Sequence, residues 1–453
     1  MIPWSLQEIA LAVNGEILQD TPHLVTGITT DSRDFTGGDL LAKGQMFVPL
    51  RGEKFDGHAY IDAALKSGAL ATLTEEEPRK MIRFKGYIKV KDTQQALHDL
   101  AGCYRGKFRI PMVQVTGSAG KTTTKEMIAS VLSQHFVTLK TQANFNNHVG
   151  TPMTLLNLEP EHEAAVIETG MSHFGEIRYL GEMVRPQFAV ITNIGDAHIE
   201  NMGGSRQGTL RAKSEIFENL QSGGVAVLNG DDPLLRTLKL PFETVWCGTG
   251  DKCNVRVTDI IERGIEGISC RVSTVWGSYD LTIPRPGGYM VYPAAMAIAI
   301  GERLNMPKSE ILKGIAEYVP VGSRMHIIRK DDDRVIIDDC YNANPQAMAE
   351  ALKILHQTPC QHRLAILGDM GELGSKSEAF HRTVGATADD YGDMEVIAIG
   401  EKSRVLAEEA KGQWFPTIDE ALPAIQAAFT PGTVALVKAS HAMQFTKIVK
   451  ELS

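Results

Sequence analysis

No run in these 453 residues approaches the ~20 consecutive apolar residues of a membrane-spanning helix, so no span is expected. Cysteine is scarce. The six, Cys103, Cys247, Cys253, Cys270, Cys340 and Cys360, are scattered, and no two form a C-x-x-C pair. That excludes a disulfide scaffold or a zinc ribbon and points to free thiols in a reducing compartment. Basic charge is not in excess. Against 46 Lys and Arg stand 55 Asp and Glu, a net charge of −9, which argues against a nucleic-acid surface. It does not argue against an anionic small substrate gripped by local lysines and helix ends. Met1 to Ser5 carry no basic segment followed by an apolar core, so no export leader is expected and the chain reads as cytoplasmic. Ser5 with Glu8 has instead the form of a capping box opening a helix through Val13. There is no internal repeat, no low-complexity segment and no G-x-G-x-x-G dinucleotide fingerprint.

What is present is ordinary for a globular chain with full cores: 43% hydrophobic and 22% charged residues. The length suggests about three domains at roughly 150 residues each. Residues 1–108 read as a small α/β unit. Gly27–Arg33 follows a strand-like stretch, Met46–Leu50 is a short strand, Arg51–His58 is a polar loop, and Tyr60–Ser67 is helical. In residues 109–319 the apolar runs Ala164–Ile167, Phe188–Ile191 and Val225–Leu228 are short, β-branched and continuous, as strands buried on both faces of a parallel sheet should be. Alternation within 253–283 predicts antiparallel hairpins inserted in that domain. Residues 320–453 repeat the pattern, with strands at Val335–Ile337, Leu364–Leu367, Val396–Ile399 and Val434–Val437 and helices at Ala347–Leu355 and Glu378–Ala388, a Rossmann-like layered domain.

One stretch carries the chemistry. The apolar run Ile110–Val115 leads into Thr116-Gly117-Ser118-Ala119-Gly120-Lys121-Thr122-Thr123, and a helix-forming run, Lys125–Leu132, follows. Strand, Gly-rich turn, Lys-Thr and helix together form a triphosphate cradle. Glycines turn backbone N–H groups toward phosphate oxygens, the helix start adds its positive dipole end, Lys121 adds a charge, and Thr122 is placed to reach Mg²⁺. Two residues separate the glycines where the usual loop has four.

Ligands of open α/β sheets sit beyond the carboxyl ends of strands, so polar residues there join the same crevice. Glu168 ends an apolar strand, as a Mg²⁺ ligand or a solvated terminus. His198, in Thr192–His198, is a metal or phosphate contact or a structural residue. Lys213 lies in a helical stretch, and pattern alone gives it no role. Asp338–Pro345, Gly368–Gly374 and Lys438–His441 occupy equivalent strand ends of the third unit.

Four segments together resemble the Mur ligase family, the ATP-dependent amide-forming enzymes of peptidoglycan synthesis. They are Thr116–Thr123, Asp338–Pro345, Leu367–Gly374 with His381 beyond, and Asn144–Asn147 followed by Gly150-Thr-Pro152. The last three point to the branch that adds D-alanyl-D-alanine to UDP-N-acetylmuramoyl-tripeptide. The resemblance runs from Ser5 to about Val449. It implies an N-terminal UDP-binding domain, a central P-loop ATPase domain with inserted hairpins and a C-terminal Rossmann-like domain closing over the site. It implies ATP and Mg²⁺ as cofactors and an acyl phosphate intermediate that the dipeptide amine attacks. No nucleic acid is implied, and the acting species is expected to be a monomer.

By this resemblance Gly117, Ser118, Ala119, Gly120, Lys121, Thr122 and Thr123 hold the triphosphate, with Arg324 and Asp339 as further nucleotide contacts. Thr122, Glu168, His198 and a carbamylated Lys213 hold metal, with Lys121, Lys213 and His198 as the catalytic set. Ser32, Arg33, Phe55, Asp56 and His58 take the uridine end, and Asn144, Asn146, Asn147, Tyr341, Asn342 and Asn344 the remainder of the substrate. The chain departs from the family pattern in Ala119, Cys340, Ala439 and His441. It departs again at Met290 and Pro293, where adenine-binding asparagines are usual.

Overall fold

A computed structural model describes residues 1–35, 44–52, 55–196, 199–371 and 373–453. The architecture is α/β in three domains, carried by two compact units. One comprises Met1–Asn254 with Met296–Ile311, the other Val255–Ala295 with Leu312–Ser453. Among the described residues no helix is long and apolar enough to cross a membrane.

The first unit opens with the expected helix, Leu6–Ala12, capped reciprocally by Ser5 and Glu8. Its first sheet has the order Glu16–Gln19, Gly86–Lys89, Ala71–Thr74, Gln45–Phe47, Gly27–Thr29, parallel except for the first pair. Gly27–Thr29 is itself a strand, where the sequence suggests a segment following one. The strand expected over Met46–Leu50 is shorter, Gln45–Phe47, because Pro49 has no N–H to give to the ladder.

The second sheet of this unit runs Thr138–Lys140, Ala164–Glu168, Met112–Thr116, Phe188–Ile191, Val225–Asn229, Glu243–Gly248, all parallel. Strand order reverses at Met112–Thr116, which lies between Ala164–Glu168 and Phe188–Ile191. The ends of these three strands therefore form a crevice. Helix Thr93–Arg105 joins the two sheets in one core. Its Leu97, Leu100, Ala101 and Tyr104 pack with Leu155, Leu180 and Met183. Trp4 meets Tyr104 edge-on at 5.5 Å, and the Tyr104 hydroxyl donates to Leu158 O at 2.7 Å. Full burial of each such side chain contributes about 1.5–3 kcal/mol.

The second unit holds an antiparallel meander, Val255–Glu262, Ile268–Thr274 and Gly277–Ile283, as the alternation predicts. Its main sheet runs His326–Arg329, Val335–Asp338, Thr433–Lys438, His362–Gly368, Glu395–Ile399, Gln413–Phe415. The first pair is antiparallel and the others parallel. The two edge strands are absent from the sequence reading. They span four and three residues, too short for a period to show. Helices Pro345–Gln357 and Ser377–Tyr391 overrun their expected ends by a few residues.

Candidate active site

The Gly-rich loop forms as its residues dictate. Gly117 has φ +153°, and a Cβ there would lie 1.9 Å from Thr192 Oγ1, so only glycine fits. Gly120, at φ +75°, turns the chain into helix Lys121–Leu132. The helix's first turn offers the backbone N–H groups of Thr122 and Thr123 toward the loop. Lys121 folds back, its Nζ donating to Gly117 O at 2.9 Å.

The end of strand Phe188–Ile191 clamps the loop. Asn193 Oδ1 accepts from Ala119 N at 2.9 Å, while Asn193 Nδ2 and Thr192 Oγ1 both donate to Ala119 O, at 3.0 and 2.6 Å. Gly195 N donates to Ser118 Oγ at 2.8 Å. Position 119 is thus held through its peptide. Its exposed side chain takes no part, which explains why alanine serves there. Buried Asp232 steadies this segment by accepting from Ile194 N at 2.7 Å. Thr192, Asn193 and Asp232 are polar residues at strand ends, where the sequence puts the crevice, though no motif gives these bonds.

Glu168 is the last residue of its strand, in register with Val115, and is 2% exposed. Asn146 Nδ2 donates to its Oε1 at 2.8 Å, and Oε2 is buried with no hydrogen-bond partner among the described residues. A carboxylate oxygen left bare in the interior is costly unless a cation meets it. That orphan beside the loop is the structural reason the donor set fits a hard divalent cation, which takes oxygen ligands.

Lys213 lies in helix Arg206–Ser214 and is buried on its Thr209–Leu210–Ala212 face. Burial, and then the charge of Lys121, push its ammonium down from the ordinary lysine range to about 7. A helix lysine on a solvated face would show neither. His198, assigned to the metal, lies outside the described residues.

The other assigned residues have the following partners. Asn146 braces Glu168, Asn147 Oδ1 caps helix Gly150–Leu156 through Val149 N and Gly150 N, and Asn144 is exposed. In the N-terminal sheet domain, Ser32 and Arg33 share the turn Ser32–Phe35. Arg33 forks onto Asp31, which holds that carboxyl below its usual range. Asp56 caps the turn at His58, accepting from its N at 2.9 Å, and Phe55 is exposed. Arg51 bridges Asp56 and Glu75 beside a cavity of about 250 Å³ lined by Arg51, Glu75, Lys91, Asp92, Thr93 and Gln94.

In the second unit Arg324 stacks over Tyr341, 3.7 Å from the ring centre. Asp339 accepts from Met325 N at 3.1 Å and pairs with buried Lys438, which also donates to Asn342 O at 2.9 Å. Asn344 Oδ1 caps helix Pro345–Gln357. His381 is buried and accepts from Met370 N at 3.0 Å, just past the end of strand His362–Gly368. Met290 and Pro293 are buried, so neither presents a polar group to a base.

Family comparisons agree across the chain. The Mur ligase family catalytic-domain model matches residues 24–105, the Mur ligase middle-domain model 115–301, and the glutamate ligase domain model 323–441. The UDP-N-acetylmuramoyl-tripeptide–D-alanyl-D-alanine ligase of Bacillus subtilis is 34% identical over 100% of this chain and 99% of its own length. A crystal structure of MurF from Acinetobacter baumannii superimposes with TM-score 0.90 at 32% identity, covering 99% of this chain and 98% of that one. MurF from Thermotoga maritima in complex with ADP gives TM-score 0.81 at 27% identity, over 94% and 96% of the two chains.

Proposed function

As the chain belongs to the Mur ligase family, we infer that it is an ATP-dependent ligase joining D-alanyl-D-alanine to UDP-N-acetylmuramoyl-tripeptide in peptidoglycan synthesis. The observation that carries the reading is one crevice in the first unit. It gathers the Lys121 loop, Glu168 with its bare Oε2, and a buried Lys213 whose amine titrates near neutrality.

The chemistry follows from these groups. A carboxylate oxygen of the tripeptide attacks the γ-phosphorus of ATP and ADP leaves. The dipeptide amine then attacks the acyl carbon, and phosphate departs with the carboxylate oxygen. Such transfer depends on positioning and charge neutralisation. Gly117, Ser118, Ala119, Gly120, Thr122 and Thr123 orient the phosphates, and Lys121 neutralises charge at the β/γ end. Thr122, Glu168, His198 and Lys213 are the residues that would hold Mg²⁺, which supplies further neutralisation when bound. At neutral pH much of Lys213 is the free amine, which adds to CO₂. A C–N bond forms, one C=O electron pair moves onto oxygen and one proton leaves, so that the neutral amine becomes an oxygen-bearing anion. Arg324 and Asp339 are assigned to the nucleotide. Ser32, Arg33, Phe55, Asp56 and His58 are assigned to the uridine end, and Asn144, Asn146, Asn147, Tyr341, Asn342 and Asn344 to the rest of the substrate. The domain limits 1–108, 109–319 and 320–453 belong to the same reading, as does a cytoplasmic setting with the single chain as the acting species.

Phosphate release in the presence of ATP, Mg²⁺ and UDP-N-acetylmuramoyl-tripeptide should require D-alanyl-D-alanine. Lysine, diaminopimelate or D-glutamate in its place should give background only. A sister amide ligase would reverse that preference, and a relative that only binds the nucleotide-linked peptide would release no phosphate with any of them.

A further inference from the structure

Helix Lys121–Leu132 buries a cation that the loop motif does not require. Lys125 is 0% exposed. Its Nζ donates to Thr141 O at 2.6 Å and pairs with Glu126 Oε1 at 2.9 Å, while Lys140 pairs with the other Glu126 oxygen. A buried ammonium is expensive unless fully partnered, and any apolar residue would fill this position at less cost. What Lys125 grips is informative. Thr141, also 0% exposed, accepts from Glu168 N through its Oγ1 at 3.0 Å. Five residues on, Asn146 donates to Glu168 Oε1, and its carbonyl accepts from Gly170 N at 2.8 Å. Segment 141–146 is therefore fastened at both ends to the strand end bearing Glu168. Lys125 ties its root to the helix that follows the Gly-rich loop.

We propose that Lys125 is a positioning residue: acting through Thr141, it fixes the Glu168 carboxylate relative to the Gly-rich loop and so sets the site's affinity for a divalent cation. The inference rests on Glu168 being a cation ligand, as the proposed function has it. Lys125 touches neither substrate nor metal in this account. Its effect is geometric. Without it, segment 141–146 loses its direct tie to the helix at Thr141 and keeps only the half-exposed Lys140–Glu126 pair one residue before, while the loop's own clamp at Thr192 and Asn193 stays intact.

The test uses Mn²⁺ as the probe, with binding to the full chain in the presence of ADP followed by electron paramagnetic resonance. ADP affinity in EDTA and thermal melting are measured beside it. Lys125→Met and Thr141→Val should each weaken Mn²⁺ binding about tenfold or more, while Thr141→Ser, which keeps the acceptor, should stay within about twofold of the parent. ADP affinity without metal should be unchanged in all three. Metal affinity unaltered in Lys125→Met or Thr141→Val, or lost in step with metal-free ADP binding, overturns the inference. Should Lys125→Met fail to fold, Thr141→Val against Thr141→Ser decides alone. Glu168→Gln separates the two levels of the account. If it weakens Mn²⁺ while Lys125→Met and Thr141→Val do not, only the positioning inference falls. If it leaves Mn²⁺ untouched, the assignment of Glu168 falls and takes the inference with it.

Discussion

Lys121→Ala should abolish ATP-dependent ligation, lowering kcat by about 10²–10³-fold or more, while far-ultraviolet circular dichroism and the melting temperature stay near those of the parent. Lys121 is the loop's own cation at the point where negative charge accumulates during phosphoryl transfer. The backbone donors around it orient phosphate oxygens but carry only partial charge. The fold should survive because Lys121 is half-buried at a helix start and belongs to no hydrophobic cluster. The substitution removes the Nζ bond to Gly117 O, but the loop keeps its shape through the backbone of Gly117 and Gly120 and the Asn193 clamp. Activity within tenfold of the parent would remove Lys121 from the phosphate site.

Lys213→Ala should be nearly inactive and partly restored by millimolar formate or acetate. A small carboxylate brings back the oxygens that a carbamate supplies. The pH behaviour of the parent fixes the sign. A free amine is needed to add CO₂. With the ammonium lowered to about 7, half of Lys213 is neutral at that pH, against ~0.03% for a lysine at the ordinary value of 10.5. The neutral fraction falls as pH drops below 7, so carbamate and activity should decline together there. Added bicarbonate should oppose the decline in the parent and do nothing for Lys213→Ala. An unchanged rate in Lys213→Ala would make it an ordinary helix lysine, at odds with its 3% exposure.

These two residues mark how far the sequence can be read. The loop was legible because its parts are contiguous: glycines, Lys-Thr, a strand before and a helix after. Glu168 was legible as a lone acid ending an apolar run. Lys213 was not legible as a buried residue, because a lysine in a polar helix is normally solvated. The available signal was its place on the stripe shared with Thr209 and Leu210, continued by buried Ile216 and Phe217. Lys125 hid in the same way inside a helix-forming run. It occupies the i position of a stripe continued by Ile128, Ala129 and Leu132, all buried. The Asn193 clamp, the Thr141 bond and the Asp232 brace join segments from 27 to 74 residues apart, and no local pattern encodes such pairings. Likewise, edge strands of three or four residues leave no period, and Pro49 cut short a strand whose apolar run reads through to Leu50.

The central claim is that ATP activates the substrate carboxylate as an acyl phosphate before the amide forms. Oxygen-18 placed in the tripeptide's reacting carboxylate tests it most directly, with the released phosphate analysed by mass spectrometry after turnover with ATP, Mg²⁺ and D-alanyl-D-alanine. The account predicts one labelled oxygen in each phosphate released, in step with one amide formed. The carboxylate's other labelled oxygen stays in the product as the amide carbonyl, and unlabelled phosphate would contradict the account.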